Sequence, residues 1–66
     1  MRKTTDQERE VLEFLNILRD SGATNMFGVT PYIKDEFDLN SKEARSLLTL
    51  WMANFNDEGK YDEVKE

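Results

Sequence analysis

The sequence predicts an all-α fold: a three-helix domain over residues 1–56, followed by a short acidic tail over residues 57–66. Three observations lead there. Apolar residues recur at three- and four-residue intervals in three separate segments, the spacing of helices with one buried face. Each segment opens on a residue suited to capping a helix: Thr5, Thr30 and Asn40. The chain has 66 residues, room for one small domain, and no cysteine with which to staple it.

The first helix is expected over residues 5–21. Thr5 is followed three positions later by Glu8, the spacing of a reciprocal capping box. Val11, Phe14, Leu15 and Leu18 then recur on one face, which Leu12 and Ile17 widen. Gly22 suits the left-handed position past a helix end.

The second helix is expected over residues 31–38. Thr30 is placed as its cap, and Pro31 fits a first turn where no backbone N–H is needed. Tyr32, Ile33 and Phe37 are its expected apolar anchors, with Ile33 and Phe37 one turn apart. The third helix opens at Asn40 or Ser41, with Glu43 completing a second capping box from Asn40. Ala44, Leu47, Leu48, Trp51 and Phe55 follow at the spacing of a buried face. Together these segments predict one core of Phe14, Leu15, Leu18, Phe27, Ile33, Phe37, Leu47, Leu48, Trp51 and Phe55. The Trp51 indole N–H calls for a partner if it is buried.

The tail carries five anions against Lys60 and Lys65, a net charge of -3 out of -5 for the chain. It is expected to be flexible and dispensable, with Tyr61 and Val64 its only anchors.

Composition narrows function by exclusion. Without Cys or His, the chain lacks thiol chemistry, zinc-finger ligands and the commonest general base. No EF-hand spacing, phosphate loop or nucleophile elbow occurs. No catalytic, cofactor-binding or metal-ligating residue is therefore assigned, and no enzyme is expected. Asp35, Glu36 and Asp38 read as a solvated face rather than a metal site. The N-terminal "MRKTTDQERE" has no apolar run behind its charges, and no segment approaches a membrane span. A cytoplasmic product without membrane contact is expected.

Two stretches are candidates for contact with a partner. Met26 and Phe27 lie in a connector between Gly22 and Gly28. They either plug the space between the first two helices or anchor a partner, as exposed Met and aromatic residues do. On the third helix, Lys42, Arg45, Ser46 and Thr49 occupy the face away from the core. Small side chains there allow close approach, and the two cations can meet an anion.

The order of helix, connector, short capped helix, tight "DLNS" turn and long helix is similar to the tri-helical core of helix-turn-helix and winged-helix domains. The resemblance implies a last helix that enters the DNA major groove, with Lys42, Arg45, Ser46 and Thr49 as reading residues. A wing would have to come from residues 56–66, fewer and more acidic than usual. The stretch "LRDSGATNMFGVTPYIKDEFDLNSKEARSLLTLWMANFN" also resembles small accessory proteins of tailed bacteriophages, the cyanophage type in particular. Its carriers are the "TNMFG" segment with "PYI", then "EAR" and the closing "WMANF", and the resemblance covers about residues 15–56. That resemblance implies a phage factor in the cytoplasm of an infected bacterium, without a functional residue to assign.

The expected function is therefore a non-enzymatic protein-binding module acting on a host or phage protein, possible also as a homodimer. The alternative is a small helix-turn-helix DNA-binding regulator. Net acidity places nucleic acid second among the partners.

Overall fold

A computed structural model describes residues 1–22 and 28–65. The fold is all-α, with three helices and a two-stranded bridge between the ends of the chain: β1 (Arg2–Lys3), α1 (Asp6–Asp20), α2 (Thr30–Phe37), α3 (Ser41–Asn54) and β2 (Glu63–Val64). Met26 and Phe27 lie outside the described residues.

The helix starts follow local chemistry. At α1 the capping box closes in both directions: Thr5 Oγ1 accepts from the Glu8 N–H at 3.1 Å, and Glu8 Oε1 accepts from the Thr5 N–H at 2.8 Å. Gly22 follows the helix at φ +76°, a left-handed backbone that costs glycine little. At α3 only half of the expected capping box forms: Asn40 Oδ1 accepts from the Glu43 N–H at 2.8 Å, and the Glu43 side chain does not return a bond to the Asn40 N–H.

The start of α2 differs from expectation. Thr30 is already helical, and the capping position falls to Val29, which makes no side-chain capping bond. The Val29 carbonyl accepts from both the Tyr32 and Ile33 N–H groups, and the Val29 side chain is buried. Burial of that side chain fixes the chain one residue before the polar cap. Asp38 ends α2 at φ 53°, where its N–H and that of Leu39 both donate to the Lys34 carbonyl. This turn drops Leu39 into the core.

The core gathers Val11, Leu12 and Leu15 from α1, Val29 and Ile33 around α2, then Leu39, and Ala44, Leu48 and Trp51 from α3. Phe14, Leu18, Phe37, Leu47 and Phe55 pack at its margin, half-buried. Phe14 meets Phe37 edge to face at 5.5 Å, and Trp51 meets Phe55 likewise at 5.4 Å. Two expected apolar anchors face outward instead: Ile17 of α1 is 64% exposed and Tyr32 of α2 is 65% exposed, while Ile33 and Phe37 turn α2 to the core.

The largest correction concerns the tail. Residues 57–65 are not a loose appendage, because Tyr61 and Val64 are fully buried members of the core. β2 pairs antiparallel with β1, Arg2 opposite Val64 and Lys3 opposite Glu63. Thr4 extends the pairing, its N–H donating to the Asp62 carbonyl at 3.0 Å and its hydroxyl to the Tyr61 carbonyl at 2.7 Å.

Three asparagines hold the tail from the helical side. Asn54 pairs with the backbone of Lys65, donating to its carbonyl at 2.8 Å and accepting its N–H at 2.7 Å. Asn56 grips Lys60 in the same two-point way. Asn16, buried in α1, accepts from the Trp51 indole N–H at 2.7 Å and from the Tyr61 hydroxyl, and donates to the Asn56 carbonyl at 3.0 Å. Burial pushes the Tyr61 hydroxyl above its ordinary pKa, which keeps the proton that Asn16 accepts. Gly59 crosses Asn16 at φ +70°, where a Cβ would lie 3.3 Å from Asn16 Nδ2. The tail is part of the domain.

Candidate interaction surface

α3 presents two faces. Ala44, Leu48 and Trp51 turn inward, while Lys42, Arg45, Ser46 and Thr49 are all exposed. The structure therefore brings these four predicted residues onto one outer surface. Lys42 and Arg45 make no ion pair among the described residues, and Thr49 donates its hydroxyl to the Arg45 carbonyl within the helix. Met52, on the same outer side, is 39% exposed.

Beside this face runs a groove that the sequence did not reveal. Two adjoining hollows of about 370 and 540 Å³ share Glu8, Ser46 and Leu47 in their walls. Leu47, Leu50 and Ala53 supply apolar floor; Arg2 and Lys65 stand along one side, and Lys42 lies towards the start of α3. Arg2 and Lys65 come from opposite ends of the chain. Only the β1–β2 pairing brings them together, and no local motif announces it.

The wall is electrostatically fixed where it meets α1. Arg2 forks onto Glu8, with both guanidinium–carboxylate contacts at 2.8 Å. That contact, reinforced by the hydrogen bond from Thr5, holds the Glu8 carboxyl down at about 2 against partial burial. The same carboxylate thus closes the α1 cap and seats the terminal ribbon.

Charge is unevenly spread. Within α3, Lys42 and Arg45 outnumber Glu43, whereas acids outnumber cations in α1 and α2 and in residues 57–66. A partner that carries carboxylates meets least repulsion at α3.

Asp35, Glu36 and Asp38 are exposed. Among the described residues no group of three or more His, Cys, Asp or Glu is placed to hold a metal ion, and no helix is long and apolar enough to cross a membrane. The arrangement offers surfaces for binding, with apolar contact, small side chains for close approach and two unpaired cations. Comparisons of the chain with protein-family models, curated proteins and solved structures find no match.

Proposed function

We propose that this chain is a non-enzymatic protein-binding module that receives a segment of its partner on the outer face of α3 and the adjoining groove. The observation that carries this reading is the apolar floor of Leu47, Leu50 and Ala53 beside the exposed Lys42, Ser46 and Thr49. Apolar area supplies affinity there, and the cations favour an acidic partner. The resemblance of residues 15–56 to tailed-phage accessory proteins supports a host or phage protein as partner, met in the cytoplasm of an infected bacterium.

A photo-crosslinking side chain placed at Thr49, and separately at Glu36 on α2, tests the reading. In infected-cell extract the Thr49 probe is expected to give a discrete adduct with another protein, and the Glu36 probe none. Equal labelling from both positions, or none from Thr49, would refute it.

One observation favours a second reading, DNA binding through α3: it is the only helix of the three in which cations outnumber acids. Two free cations are few for a phosphate-binding surface, and acids surround them. Deleting residues 57–66 to relieve repulsion would also remove Tyr61 and Val64 from the core. The cleaner variant neutralises the exposed Asp57, Asp62 and Glu63 in place as Asn, Asn and Gln. Salt-sensitive duplex binding that strengthens in this variant and disappears with Arg45→Ala would favour DNA; negligible binding by both forms is expected.

A further inference from the structure

The outer face of α1 is as distinctive as that of α3, and opposite in charge. Glu10, Glu13, Ile17 and Asp20 recur at intervals of three, four and three residues, and all four are exposed. Such spacing aligns them along one side of a helix. Asp20 is paired with Arg19, but Glu10 and Glu13 make no ion pair among the described residues. Ile17, 64% exposed, is the one large apolar residue in this acidic row.

On α3, Lys42, Arg45, Thr49 and Met52 recur at the same three-, four- and three-residue intervals. With the two helices parallel, this register sets Glu10 against Lys42, Glu13 against Arg45, Ile17 against Thr49 and Asp20 against Met52. The charged half of the match is the complementary one, and Asp20 keeps Arg19 of its own chain as partner. Glu10 and Glu13, without an ion pair among the described residues, meet Lys42 and Arg45, and Ile17 reaches Met52 diagonally, three residues on.

Resting on the reading of α3 as the binding face, we propose that one partner of that face is a second copy of this chain, docked through its α1. The contact is heterologous, α1 of one copy on α3 of the next, so it closes into a ring or continues as a chain of copies. Its size sets its strength. From Glu10 to Asp20 the helix rises about 15 Å, so the contact falls well short of the ~1,200 Å² of a stable interface. Assembly is therefore weak, concentration-dependent and sensitive to salt, since its charges stay near water.

Charge exchange between two variants tests this. Glu10→Lys with Glu13→Lys reverses α1 alone, and Lys42→Glu with Arg45→Glu reverses α3 alone. All four positions are exposed, so both variants should keep the wild-type circular dichroism. Sedimentation of the wild type at roughly 100 µM and low salt should give an average mass above the 7.8 kDa monomer, falling towards it at high salt. Each variant alone should sediment as a monomer. An equimolar mixture should associate again, because each reversed face then finds its complement. A monomeric wild type, variants that associate as the wild type does, or a mixture that stays monomeric would each overturn the proposal. The Thr49 crosslinking reads adducts with other proteins, so a monomeric chain that still gives such an adduct loses only the second copy as partner.

Discussion

The seam beneath the tail and the outer face of α3 are both lined by polar side chains, and they treat them in opposite ways. At the seam, Asn16, Asn54, Asn56, Trp51 and Tyr61 spend their hydrogen-bonding groups on one another and on backbone, and no buried side-chain nitrogen or oxygen among the described residues lacks a partner. On α3, Lys42 and Arg45 make no ion pair within the described chain, and Ser46 and Thr49 stand in solvent. Buried polar groups left unpaired are costly, so a satisfied seam is what folding demands. An exposed face with unspent charge is under no such demand. The first region is structural, and the second is free to bind.

The harshest way to break this comparison is to end the chain at Asn56. Removing Tyr61 and Val64 from the core should cost about 3–6 kcal/mol, most of the stability of so small a domain. Thermal melting by circular dichroism should show a broad, low transition or none.

Asn16→Ala comes next. It strips the acceptor from the Trp51 N–H and the Tyr61 O–H at once, with an expected loss of roughly 2–4 kcal/mol in denaturant unfolding followed by Trp51 fluorescence. Tyr61→Phe, which keeps the buried ring, should cost only about 1 kcal/mol.

Acid titration sharpens the comparison further. Because Arg2 depresses the folded-state pKa of Glu8 to about 2, its contribution is complete above the ordinary value of 4.5 and fades as pH falls towards 2. Arg2→Ala should therefore destabilise the protein by about 1 kcal/mol at neutral pH, a figure reduced for the partial exposure of Arg2. The difference from wild type should shrink between pH 4.5 and 2. Smallest of all, Lys42→Ala and Thr49→Ala should each change stability by no more than about 0.5 kcal/mol.

Much of the helical framework was legible because its signals are local. Thr5 with Glu8, and the Asn40 side chain with the Glu43 N–H, lie within one turn, so these capping bonds follow from spacing, while the return bond from Glu43 did not form. The need of Trp51 for a partner was legible too. Its identity was not, since Asn16 lies 35 residues away and an asparagine among apolar neighbours has no periodicity of its own. Ile17 and Leu12 flank the α1 stripe on opposite sides, and only the packing of α3 and the tail decides which edge is covered. The tail was misread through its composition: five acids mask two anchors, Tyr61 and Val64, set three residues apart. The outer α3 residues of the candidate surface were found by helical spacing, but the groove needs both ends of the chain.

Amide hydrogen exchange tests the central contrast most directly. The N–H groups of Thr4, Lys60 and Lys65 bond to the Asp62 carbonyl, Asn56 Oδ1 and Asn54 Oδ1 respectively. If the tail is part of the fold, these three amides exchange slowly, within about tenfold of the protected amides in the middle of α3. Exchange at the rate of an unstructured peptide while α3 stays protected would contradict the account: the tail would be loose, and the seam would no longer be the structural half of the molecule.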